Sequence, residues 1–254
     1  MRLVTKIIIL FILSLPLQAR EIGETEITTE DGIEVFQDEK FYLLKKNVKI
    51  ESDNFTLSAD YVKIDFENSL YDITELNANG NVDFYSNVFK IKGNGNVLNF
   101  KIKVEKLKVE GQGSELITKD VKMFSDGFIE VNNSNGDFSL KGPKSKLVNE
   151  GLIIKAQFID GNFSDKDDKK DITFLKVLDE QISYLRNKDT EMYAKKINFD
   201  NDSTIIELIE DVTIIRDGEK ITGDYGSLDT SNNSYKIRSN DQNKVKVIIQ
   251  NNEQ

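Results

Sequence analysis

From Asn47 the chain alternates apolar and polar residues: Val48 and Ile50 are apolar, Lys49 and Glu51 charged. After the turn residues Ser52-Asp53-Asn54 the alternation resumes at Phe55, Leu57 and Ala59 and continues through Val62, Ile64 and Phe66. A period of two with polar punctuation predicts β-strands with one buried and one wet face. The pattern then recurs. The stretch 47–66 lies without a gap over 81–100, setting Asn47 on Asn81, Val48 on Val82, Ser52 on Ser86, Phe55 on Phe89 and Phe66 on Phe100, with Ile50, Leu57 and Ile64 opposite Phe84, Ile91 and Leu98. A third copy, 211–230, matches Val212, Lys220, Ile221, Gly223 and Leu228 to Val82, Lys90, Ile91, Gly93 and Leu98, and a looser one starts at Asp120. Self-similarity at this spacing predicts a repeat or solenoid architecture. Each unit is two to three short antiparallel strands whose apolar face needs a neighbour.

The remaining segments follow the same rule. Ile33 with Val35 and Phe41 with Leu43 give leading strands, Val104 to Gly113 a strand ending at a glycine pair, and Phe138 to Leu140 one that stops at Gly142-Pro143. Further strands are predicted at 153–163, 172–177, 181–185, 192–199, 235–237 and 245–249. The run Asp165 to Asp171, DKDDKKD, reads as a loop, or as a seam between two repeats of one continuous unit spanning 20–254. Ahead of it, Met1 to Ala19 has the form of a cleaved secretory signal, with Arg2 and Lys6 before the apolar run Ile7 to Leu17. That run is about half the ~20 residues a spanning helix needs. A bacterial periplasm is the compartment this implies, and the absence of cysteine is compatible with it.

Charge and chemistry narrow the function by exclusion. A formal charge of −10 argues against nucleic acid as a partner, because phosphates are neutralised by Lys and Arg. The chain has neither histidine nor cysteine, so the common zinc sites and the Ser-His-Asp and Cys-His arrangements are excluded. The carboxylates are many, but none sits in the apolar surroundings that raise a pKa for acid catalysis. The run DKDDKKD lacks the central glycine and closing glutamate of an EF-hand. Gly93-Asn94-Gly95 precedes no helix and reads as a turn or bulge, not a phosphate cradle. No enzymatic activity, metal or cofactor is expected.

What is left is a large apolar inner face. The copies NVKIESDNFTLSADYVKIDF, GNVDFYSNVFKIKGNGNVLNF and EDVTIIRDGEKITGDYGSLDT, with the terminal SYKIRSNDQNKVKVII, resemble the OstA-like family of lipopolysaccharide transport, which includes the LptA-type bridge proteins. The resemblance covers most of the chain beyond the leader. It implies an all-β fold, an open V-shaped β-jellyroll or solenoid-like stack, whose groove carries lipid acyl chains from inner to outer membrane. It also implies lipopolysaccharide as ligand, LptC-like and LptD-like transport components as partners, and head-to-tail self-association. The chain is longer than the usual bridge protein, which implies extra strands or a fused second copy. The groove candidates are Val48, Ile50, Phe55, Leu57, Val82, Phe84, Phe89, Ile91, Val212, Ile214 and Ile221. By alternation alone these residues are equally the core of a β-sandwich, and the sequence does not separate the two. The sheet edges expected to pair with other copies lie near Ile33 to Leu43 and Val245 to Ile249. Two alternatives stand beside this reading: an LptC-like, membrane-anchored transfer protein, and a structural periplasmic β-solenoid that holds no lipid.

Overall fold

The computed structural model describes residues 22–69, 72–166, 169–240 and 243–249; the expected leader lies outside them. Within them the chain is one antiparallel sheet of eighteen strands with a single 3-10 turn at Ile102–Val104. The strands are β1 (Glu26–Thr28), β2 (Ile33–Phe36), β3 (Phe41–Glu51), β4 (Phe55–Phe66), β5 (Ile73–Ser86), β6 (Ile91–Lys101), β7 (Lys106–Glu110), β8 (Ser114–Ile117) and β9 (Val121–Ser125). They continue as β10 (Phe128–Asn132), β11 (Asp137–Asn149), β12 (Leu152–Lys166), β13 (Lys169–Asn187), β14 (Thr190–Asp200), β15 (Ile205–Arg216), β16 (Glu219–Asp229), β17 (Ser234–Arg238) and β18 (Lys246–Ile249). Most run longer than the repeat suggests, because each long strand passes through a corner and continues.

The corner is the repeated motif itself. At the β3–β4 pair Lys46 and Asn47 bulge out opposite the single residue Asp60. Gly80 and Asn81 of β5 do the same opposite Asn96 of β6, as do Glu210 and Asp211 of β15 opposite Asp224 of β16. All six bulged residues have φ between 48° and 76°. Glycine, Asn and Asp reach this left-handed region at least cost, which explains why the repeat opens on Asn-Val or Asp-Val. The Asp60 carboxylate accepts a hydrogen bond from Asn81 Nδ2 at 2.9 Å and so ties adjacent corners together. On β4 the extra residue shifts the alternation, from buried Leu57 and Ala59 to buried Val62 and Ile64. The inner face therefore stays inner on both sides of the bend.

Corners aligned across the sheet divide it into two walls. Where a strand is broken instead of bent, its two pieces pair with the two arms of one neighbour: β1 and β2 with β3, β7 and β8 with β6, β9 and β10 with β11, β17 and β18 with β16. The first wall holds the arm of β3 after its corner and the arms aligned with it; the second holds the other arms. At the vertex the walls converge, and the inward residues there are no larger than valine: Val48, Val82 and Val212 share the row with Ala59, Gly95, Ser125, Ser145, Ser183 and Ala194. A Cβ on Gly95 of the first wall would lie 2.5 Å from Val109 Cγ1 of the second. Gly93 is packed as closely, against the Phe84 ring. The Gly-Asn-Gly stretch is thus strand interior, ending next to Asn96, which faces the bulge at Gly80 and Asn81, and is not a turn. Gly142-Pro143 likewise lies in the corner of β11, which runs on to Asn149. The charged stretch 165–171 falls at the tip of the β12–β13 hairpin, with 167 and 168 outside the described residues, and the sheet passes unbroken from β11 to β14.

The vertex is tightest around Gly127, where an added Cβ would fall 2.0 Å from the Lys141 carbonyl oxygen. Gly127→Ala must displace backbone and is expected to lower the unfolding free energy in urea by more than about 2 kcal/mol. Gly113→Ala meets nothing within 4 Å but has φ of +72°, so its cost is only conformational, about 1 kcal/mol. Equal losses in the two variants would contradict the close packing of Gly127 against Lys141 at the corner.

Candidate functional site

Away from the vertex the walls diverge, and toward the N-terminal end they enclose an apolar cavity of about 280 Å³ at the open edge. The first wall contributes Phe55, Leu57, Phe84, Phe89 and Ile91; Ile73, Leu76, Leu98 and Phe100 face them from the second. The Phe89 and Phe100 rings meet edge to face across the gap, 6.1 Å between centroids. Val88 and Ile102 stand exposed at the mouth. The polar rim includes Asn54, Glu105 and Asn133, with Asn133 Nδ2 donating to the Glu105 carboxylate at 2.9 Å.

The same local device places both mouth phenylalanines. Ser52 Oγ accepts the Phe55 N–H at 3.0 Å, and Ser86 Oγ accepts the Phe89 N–H at 3.2 Å. Each serine thereby closes a tight turn that returns the chain with a phenylalanine facing the gap, Phe55 at the start of β4 and Phe89 two residues before β6. The two turns are joined by Asn87, whose N–H donates to the Asn54 carbonyl at 2.7 Å. The paired Ser and Phe positions of the repeat are therefore the tips of the cavity's first wall.

The structure separates the groove candidates into three groups. Phe55, Leu57, Phe84, Phe89 and Ile91 come together around the cavity. Val48, Ile50 and Val82 are buried in the packed core between the walls. Val212 and Ile214 are core residues toward the C-terminal end, and Ile221 is half-buried there, paired with Ile214 on one side and Val247 on the other. The second wall of the cavity was not among the candidates, although Leu98 and Phe100 occupy matched positions of the repeat. Ile73, Val88 and Ile102 carry no such signal.

Beyond Ile91 the gap shrinks to a void of about 20 Å³ lined by residues such as Leu116, Met123 and Phe163. The stacked pair Phe138 and Phe163, 4.3 Å between centroids, lies at this narrowing. Further on, Leu175, Val177, Met192, Ile197 and Leu208 fill the space between the walls. Among the described residues no acidic cluster is arranged to hold a metal ion, and no helix is long and apolar enough to cross a membrane.

No family model and no curated protein matches the sequence. Among solved structures the chain is similar to LptH, the LptA-homologous periplasmic component of the lipopolysaccharide transport device from Pseudomonas aeruginosa. The match has a TM-score of 0.42 and 14% identity over 51% of this chain and 94% of that one.

The cavity and the core predict opposite responses to substitution. Phe89→Asp places a charge at the mouth and is expected to abolish the fluorescence of the apolar dye N-phenylnaphthylamine, with a stability loss of only about 1 kcal/mol because the site is half-exposed. Ile214→Ala is expected to keep dye binding while losing about 2–5 kcal/mol in denaturant unfolding. Retention of the dye by Phe89→Asp would remove the cavity as an apolar binding site.

Proposed function

We propose that this chain is a periplasmic, non-catalytic carrier that holds lipopolysaccharide by its acyl chains on the way from inner to outer membrane. The observation that carries the reading is the cavity at the open edge. An apolar lining formed by both walls and open to solvent past Val88 and Ile102 is suited to hydrocarbon that must leave water. The choice of lipid rests on the OstA-like sequence pattern of the same strands.

Energetics fit a carrier. Each methylene removed from water contributes about 0.8 kcal/mol, and a bilayer offers the same gain, so transfer between membrane and cavity is nearly isoenergetic. Direction must therefore come from an energy source outside this chain. The rim supports grip on the chains alone: Glu105 lines the cavity, while Lys103 beside it is engaged by Glu67. The exposed sheet ends support head-to-tail association. Ile33 and Val35 of β2 and Val247 to Ile249 of β18 are exposed, on strands where further copies, or LptC-like and LptD-like components, would add by edge pairing.

Photo-crosslinking tests the reading. With a photoreactive residue at Phe55 or Phe89 and lipopolysaccharide vesicles, adducts are expected at both positions and at neither Lys49, which faces outward, nor Ile214, which is packed. Adducts at none of the four in a folded protein would leave a dry structural solenoid as the better account.

A further inference from the structure

The apolar cavity has one way in and a closed inner end. Its second-wall lining steps from Ile73 on β5 to Phe100 on β6, Leu107 on β7 and Val131 on β10, three neighbouring-strand spacings or about 14 Å. At the inner end, Ile91 of the first wall and Val131 of the second line both this cavity and the void of about 20 Å³ behind it. They form the constriction between the two spaces. Behind them Met123 and Phe163 line the void, and both are buried. Phe163 is backed in turn by Phe138, on which it stacks.

Past the constriction the tips of the walls are tied together across the open edge. Asn149, at the end of β11 in the first wall, donates from Nδ2 to the Lys170 carbonyl of the second at 3.1 Å, and the Glu150 carboxylate pairs with Lys169 at 3.1 Å. At the C-terminal end Arg216 Nη1 donates to the Asn233 carbonyl at 2.9 Å and the Tyr235 hydroxyl to the Glu219 carboxylate at 3.3 Å, again from one wall to the other. Hydrocarbon entering past Val88 and Ile102 therefore goes no deeper than Met123 and Phe163.

Volume sets how much hydrocarbon that is. A cavity of about 150 Å³ takes up benzene, a molecule of six carbons. The cavity here is roughly twice as large, about 280 Å³, and at the same packing holds about eleven carbons. Two chains side by side would share that volume and bury half as much of each. Resting on the carrier reading above, we propose that one copy of this protein takes up a single acyl chain, methyl end first, to a depth of about eleven carbons set by Ile91, Val131, Met123 and Phe163. The other chains of a multi-chain lipid stay outside that copy.

The test uses the full chain and straight primary alcohols from hexanol to tetradecanol, each below its solubility limit, as competitors of bound N-phenylnaphthylamine. Each added methylene is expected to tighten binding about fourfold. The gain should stop at about eleven carbons, and calorimetry should find one decanol per protein molecule. Val131→Phe fills the constriction from a half-buried position and should move the break to shorter chains. Met123→Ala deepens the space and should move it to longer ones, while Ile214→Ala, in the closed core, leaves it in place. Affinity that keeps rising through tetradecanol in the wild-type protein would overturn the length limit, and that result does not depend on any variant folding. Two decanols per molecule would rule out the single chain, and a break unmoved in both folded cavity variants would remove the residues assigned to it. If lipopolysaccharide still displaces decanol in those cases, the carrier reading stands without the limit. Binding of no alcohol at all would sink both.

Discussion

Everything in this fold depends on how two sheet walls can meet. Antiparallel strands that bend at one shared row bring their inner faces together at an acute edge, where there is no room for a leucine. The chain meets that constraint with Ala59, Gly95, Ser125, Ser145, Ser183 and Ala194 at the vertex, and with left-handed residue pairs such as Gly80 and Asn81 to make the turn. A serine at such a position needs a partner once it is buried. Ser125 and Ser145 provide one for each other, with Oγ atoms 3.0 Å apart.

From that edge outward, side-chain size determines what the walls can do. Toward the C-terminal end leucine, isoleucine and methionine reach across and meet, giving an ordinary core. Toward the N-terminal end the tips are held apart by turns that end on Phe55 and Phe89, and the second wall recedes at Ile73 and Phe100, so the space is lined but not filled. A protein interior is normally close-packed. An apolar space that stays open at one end of a sheet and closes at the other has the form of a receptacle with a supporting stem.

Much of the fold was legible because the corner is written in the residues that make it. The Asn-Val and Asp-Val openings and the small residue before Asp60, Asn96 or Asp224 recur together, since each bulge needs a left-handed pair on one strand and a small inward residue on the next. The shift in alternation at Asp60 was not seen, because Ala59 and Val62 fit a period of two if the intervening residue goes uncounted. Gly93 and Gly95 read in the sequence as a turn or bulge; a bulge does lie beside them, but on the partner strand at Gly80 and Asn81, and the glycines themselves are strand interior. Their role is set by Phe84 on the adjacent strand and Val109 on the opposite wall, which nothing in the local sequence announces. The candidate site was legible only by half: Val48 and Phe55 alternate identically, yet one lies near the vertex and the other at a tip. Distance from the turn residues was the usable signal, since the residues that follow Ser52 and Ser86 by three are the ones at the mouth.

The order of pairing carries one more consequence. Each arm of the sheet bonds to arms that precede and follow it closely in the chain, and even the broken strands β7 to β10 pair only with near neighbours in sequence. Loop closure is therefore inexpensive at every step, and contact order is low for an all-β protein. Such a chain can acquire structure progressively from whichever end emerges first, each new hairpin docking on a finished edge without waiting for distant partners.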